Sequence, residues 1–122
     1  MGHFVEGSNK GYSAGADLTA YTAVKLNADR NVVPAAAATD AIIGVVNAAV
    51  KSGWETDVRL RSAAGTLNIV AAATIGIGQP VTSDAAGKAI VATVAGQQII
   101  GYALEPVVSG QVLEVLPSTG KF

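Results

Sequence analysis

A chain of 122 residues has the length of one domain, and with half of its residues hydrophobic it can bury a core. Only 14% are charged and the net charge is −1, which argues against the basic footprint of a nucleic-acid or anionic-membrane binder. There is no cysteine and a single histidine, His3, so a disulfide framework, a thiol nucleophile and a thiolate metal site are excluded.

The mean hydropathy of +0.42 leaves little polar surface to cover such a domain. Either apolar surface is buried between subunits, which implies a homo-oligomer, or the apolar count is Ala and Val that form no exposed patch.

Residues 1–19 read as a flexible N-terminal arm. Gly2, Gly7, Gly11 and Gly15 are spread through it, and no period of 2 or 3.6 persists. Glu6, Lys10 and Asp17 interrupt any apolar run, so no signal peptide is expected. Phe4, Val5 and Tyr12 give this arm something to bury, and they are candidate interface residues: it either frays or docks on a neighbouring subunit.

From Tyr21 onward the pattern is β, and residues 20–122 form a single expected domain. In Thr22-Ala23-Val24-Lys25-Leu26 the even positions suit a buried face, and Lys25 faces away. Ala28, Asp29, Arg30 and Asn31 supply turn chemistry. The one place for a helical turn is residues 35–40, where Pro34 precedes four alanines. In residues 56–61, Val58 and Leu60 point inward and Asp57, Arg59 and Arg61 outward. Residues 62–83 carry no charge, yet Gly65, Gly76, Gly78 and Pro80 punctuate them, which suits short strands and not a membrane span. Further strands are expected at Leu67 and Ile69, at residues 89–94 and at residues 112–116.

An internal repeat organises these elements. Ile42-Ile43-Gly44 returns as Ile99-Ile100-Gly101, and the same spacing places Val50 on Val107, Ser52-Gly53 on Ser109-Gly110, and Val58 on Val115. Upstream, Leu26-Asn27-Ala28-Asp29 resembles Val81-Thr82-Ser83-Asp84 with a small shift of register. The repeat thus spans about 21–60 and 78–117, and the expected fold is all-β, a small barrel or sandwich of two similar β-units. Glycine inside both Ile-Ile-Gly strands fits a bulge or a sharp bend.

Signatures of chemistry are missing. His3 stands in the arm with nothing to orient an imidazole, so neither a catalytic triad nor a zinc site is expected. Gly76-Ile77-Gly78 has Val81 where a dinucleotide fingerprint needs glycine, and the nine carboxylates form no calcium loop. Glu55 and Asp57 share a strand face with Arg59, which reads as a charge network. No enzyme activity, cofactor or metal is expected.

Where the units differ, the differences point to partners. Glu55, Asp57 and Arg59 correspond to Val112, Glu114 and Leu116, so the last strand is apolar on both faces apart from Glu114. A strand of that kind is covered on both sides, by this chain or by another. Val112 and Leu116 are therefore candidate interface residues. So is Trp54, whose counterpart is Gln111, so that the repeated fold does not itself demand an aromatic there.

The stretch from Ile75 through Gly78-Gln79-Pro80-Val81-Thr82-Ser83-Asp84 to Gly87-Lys88 resembles a pattern of phage capsid cement (head decoration) proteins. So do Ile99-Ile100-Gly101-Tyr102-Ala103-Leu104, Ser109-Gly110-Gln111 and Val112-Leu113-Glu114-Val115-Leu116. The resemblance covers roughly residues 20–117 and consists of β-turn-β motifs. It implies a compact β-fold and a trimer bound to the major capsid protein on the outer surface of the virion, made in the host cytoplasm. Alternatives are another β-type virion component, such as a tail tube or spike base, a small ligand-binding β-barrel, or a hydrolase built on scattered carboxylates.

Overall fold

The computed structural model describes residues 9–62 and 65–122. Among them there are ten strands and no helix: β1 (Asn9–Ser13), β2 (Thr22–Leu26), β3 (Val32–Pro34), β4 (Ile42–Val46), β5 (Glu55–Leu60), β6 (Leu67–Val70), β7 (Pro80–Ser83), β8 (Ala89–Val91), β9 (Gly101–Ala103) and β10 (Val112–Pro117). They form two five-stranded antiparallel sheets in the orders β1-β5-β4-β2-β3 and β6-β10-β9-β7-β8. Replacing each strand of the first order by the strand five later gives the second. The chain is two copies of one five-stranded unit.

The equivalence extends to single hydrogen bonds. Leu18 and Val50 exchange backbone bonds across the first unit, as do Ile75 and Val107 across the second. The parallel bridge of Ala14 with Val32 matches that of Ala71 with Ala89. Gly44 and Gly101 are required by close approach: a Cβ on either would run into the backbone carbonyl of the neighbouring strand, Arg59 or Leu116 respectively. Pairing in the first unit shifts register between Val24 and Lys25, beside Gly44.

The upstream repeat carries no register shift. Asn27 Oδ1 accepts the N–H groups of Asp29 and Asn31, at 3.0 Å each, and Asp84 Oδ1 accepts those of Ala86 and Lys88 at 2.8 and 2.9 Å. Asn27 is thus the partner of Asp84, because either side chain builds the same turn. Arg30 and Gly87 follow in equivalent left-handed positions, with φ of 63° and 77°.

The repeat also starts earlier than residues 21 and 78, since β1 and β6 belong to it. The expected flexible arm does not extend through residue 19. Lys10 to Ser13 pair with β5 from Val58 to Glu55, and Ala14 and Leu18 are buried. β5 would otherwise be an open sheet edge, and β1 satisfies its backbone groups. Phe4 and Val5 lie outside the described residues.

Two apolar clusters hold the units. One is the interior of the first unit, with Leu18, Val24, Val32, Val46 and Val58, and it is edged by half-buried Tyr12, Ile43 and Leu60. The other combines the interior of the second unit with Ala23, Ala35, Ile42 and Val45 of the first. Ala23 and Val45 lie on the outer face of the first sheet, where β6 rests on β2 and β4. This explains a departure in β2. Ala23 is as buried as Val24 because the second unit covers it, while Leu26, beyond the bulge, is 38% exposed. The expected helical turn at residues 35–40 is a non-helical loop, closed by Asp40 Oδ2 accepting the N–H groups of Ala36 and Ala37 at 2.9 and 3.0 Å.

Candidate interaction surface

In β10 the side chains alternate: Leu113 and Val115 enter the core, and Val112, Glu114 and Leu116 face out. Val112 is 43% and Leu116 51% exposed, so this chain leaves both uncovered. Leu116 is the cross-strand partner of Tyr102, and Tyr102 is also the partner of Pro80 on β7. Exposed Leu104 follows on the outer side of β9, so Tyr102, Leu104, Val112 and Leu116 make one apolar face. Tyr102 and Leu104 were legible as alternate positions after Gly101, but the sequence motif drew attention to β10 alone. Glu114 lies on this same face, between Val112 and Leu116 and across from Leu104. Glu114 Oε2 accepts from the Thr66 hydroxyl at 2.9 Å, and its N–H donates to Glu105 Oε1 at 3.2 Å.

Trp54 lies away from this face. It is 59% exposed and borders a shallow groove with Asp17, Leu18, Val50 and Lys51. The second unit has the equivalent groove at Thr74, Ile75, Val107, Val108 and Gln111, where Gln111 replaces the indole and its Oε1 accepts the Val108 N–H at 3.1 Å. Tyr12 is half-buried on β1 and lines a further groove, of about 280 Å³, with Ile42, Ile43 and Leu60. The candidate interface residues within the described chain therefore occupy three places.

Arg61 does not point outward. Although it follows the alternation of β5, it is 8% exposed and makes five side-chain hydrogen bonds. Nε donates to the Ser118 carbonyl, Nη1 to the Ile42 carbonyl and Gln98 Oε1, and Nη2 to the Ile99 and Gly120 carbonyls, at 2.8–3.1 Å. Five N–H donors meet five acceptors, which is all a guanidinium has. Burial pushes its pKa below the ordinary arginine value. The group clasps the C-terminal segment and both units, so its role is structural.

Arg59 donates from Nε to the Thr66 carbonyl at 2.7 Å and reaches Asn9 Oδ1 at 3.4 Å, so it engages the ends of two neighbouring segments. Lys25 Nζ and Asp40 Oδ2 form an ion pair at 3.0 Å. The Ala36 N–H, then the Lys25 ammonium, hold the Asp40 carboxyl below the usual carboxylate value. Among the described residues, no three His, Cys, Asp or Glu side chains gather where a metal ion would need them, and no helix is long and apolar enough to cross a membrane.

No family model matches the chain, and no curated protein matches its sequence. Among solved structures, the chain is similar to the N base of the head fiber gp8.5 of bacteriophage phi29. The TM-score is 0.72 at 21% sequence identity, covering 93% of this chain and 96% of that one. The likeness spans both β-units and establishes the duplicated all-β fold as one that a solved protein shares.

Proposed function

We propose that this protein is a structural component of a phage virion, which binds the outer surface of the capsid as a homotrimer, contacts the major capsid protein and stabilises the expanded head. The observation that carries the reading is the end-to-end fold likeness to the base of a head fiber. The exposed apolar face of Tyr102, Leu104, Val112 and Leu116 supports the oligomeric part, since a chain this poor in charge gains by covering it. A protein that binds only the expanded lattice stabilises it by mass action, and three linked copies turn weak contacts into durable ones. That task requires no catalytic group, and the reading includes none.

The test is co-sedimentation with phage heads that lack the protein, before and after expansion, together with light scattering of the free protein. Saturable binding to expanded heads in multiples of three supports the proposal. A protein that stays in the supernatant of both head forms, or that polymerises alone into tubes, overturns it.

A further inference from the structure

The two units are stacked in one sense, so each has a face that its twin uses and it does not. On the first unit, the outer face around Ala23 and Val45 is covered by β6 and the interior of the second. On the second unit the equivalent positions are Pro80 and Tyr102, half-buried and 41% exposed, with Leu116 beside them. Conversely, the second unit seals its interior with Leu67, Ile69 and Leu113, all fully buried. Their counterparts in the first unit are Lys10, Tyr12 and Thr56, all partly exposed, and Tyr12 lines the groove of Ile43 and Leu60. One end of the molecule repeats a surface that is covered inside the chain, and the other end repeats the surface that covers it.

We propose that copies of this chain pack head to tail, the Tyr102–Leu116 face of one copy closing the Tyr12–Ile43–Leu60 end of the next. The occupant of the open face is a second copy of this chain, because the chain already contains the contact once. Charge agrees: Lys10, whose Nζ lies 5.3 Å from the centre of the Tyr12 ring, would approach the face that carries Glu114, with Glu105 beside it. A contact between unlike faces closes into a ring when its rotation allows. Three chains would then place six β-units around one axis. The inference rests on the oligomeric part of the function proposed above and is independent of capsid binding.

The contact between copies is looser than the internal one. Inside the chain the Ala23 N–H donates to the Gly87 carbonyl at 2.7 Å, and a Cβ at Gly87 would lie 2.6 Å from the Ala23 carbonyl oxygen. Between copies, Pro80 has no N–H to offer, and Arg30 stands where Gly87 would have to insert. The hairpin cannot dock as closely, and the sheet faces carry the contact.

The chain has no cysteine of its own, which makes the test direct. Tyr12→Cys and Tyr102→Cys are prepared separately, mixed and oxidised. The expected result is disulfide-linked dimers in the mixture, little in either variant alone, and covalent trimers from the double variant. Val108→Cys, at a position 53% exposed in the groove beside Gln111, sets the collision background when mixed with Tyr12→Cys. If Tyr12→Cys fails to fold, Lys10→Cys on the same strand replaces it. The proposal is overturned if the mixture gives no more than that background, or if Tyr102→Cys alone cross-links as fast as the mixture, which would mean like faces meet. Head co-sedimentation is scored apart: cross-linking with no head binding supports the contact and refutes the virion reading, and head binding without cross-linking overturns the contact alone.

Discussion

Arg61 Nε donates to the backbone carbonyl of Ser118 at 3.1 Å, and these residues, 57 positions apart, are equivalents in the two units. Each backbone N–H makes the same bond, Arg61 to the Ile43 carbonyl and Ser118 to that of Ile100. One copy of the position thus carries a side chain that seizes the other copy. Arg61→Ala would take their side-chain donor from the carbonyls of Ile42, Ile99 and Ser118 in a largely buried site, and should destabilise the domain by about 3 kcal/mol or more. Arg61→Lys supplies three donors without the planar fork and should recover only part of that. Urea titration measures the loss, and limited proteolysis should show residues 118–122 cleaved first in Arg61→Ala. Equal stability of all three proteins would contradict the clasp.

Asp40 gives stability a defined pH dependence. Its folded pKa lies below the value of 3.8 for the free group. A depressed acid contributes stability above its unfolded pKa, and that contribution disappears as pH falls through the folded value. In the second unit Gln97 takes the same place, its Oε1 accepting the N–H groups of Thr93 and Val94 at 2.8 and 3.0 Å. The loop therefore needs an acceptor and not a charge. Asp40→Asn should cost under about 1 kcal/mol at pH 7 and should flatten the loss of stability below pH 4. Asp40→Ala should cost about 1–2 kcal/mol and flatten it equally. Denaturation midpoints at pH 7, 4 and 3 decide the matter, and an unchanged acid limb in Asp40→Asn would remove Asp40 from the account.

Deleting residues 2–16 should unfold the domain rather than merely weaken a docking contact. The deletion removes β1, exposes the edge of β5 and takes away Ala14, which is 2% exposed. A melting temperature close to that of the whole chain would show β1 to be dispensable.

How far this was readable depended on which physics each residue reports. The Ile-Ile-Gly strands stood out because Gly44 and Gly101 are dictated by a close backbone approach that no other residue tolerates. The Asn27 and Asp84 turns were found but misaligned, because turn chemistry accepts either side chain and the eye matched identities. β1 was missed because Tyr12 is its only large apolar residue. Its counterparts in β6, Leu67 and Ile69, are apolar only because they seal the interface between units. Arg61 was misplaced by strand alternation, which continues formally past Leu60 while the chain itself leaves the sheet. The open face was half legible: β10 announced Val112 and Leu116, whereas Tyr102 becomes significant only once pairing sets it against Leu116.

Gly101→Ala tests the close approach. Its Cβ would overlap the Leu116 carbonyl and push β9 away from β10, so a loss of about 3 kcal/mol is expected. Gly110→Ala, where a Cβ meets nothing within 4 Å, carries only the cost of a left-handed alanine at φ 90°, about 1–2 kcal/mol. Urea midpoints of the two variants should rank in that order, and the reverse order would refute the packing argument.

Leu116→Asp separates assembly from folding. The side chain is 51% exposed on the outer face of β10, and its alternate neighbours Leu113 and Val115 carry the core burial of the strand. A charge there meets water in the single chain, so monomer stability should change by no more than about 0.5 kcal/mol. In an assembled contact the same carboxylate would be pressed against apolar surface. Association should then weaken by about 2 kcal/mol, roughly thirty-fold in the dissociation constant. Val112→Asp, on the same face, should act in the same direction. Glu55→Ala, at the position in the first unit equivalent to Val112, should leave association unchanged. Sedimentation equilibrium over a range of concentrations reads association, and thermal melting of dilute protein reads folding. A Leu116→Asp protein that melts early but associates normally would place the residue in the core, contrary to its exposure, and would remove the β9–β10 face as a subunit contact.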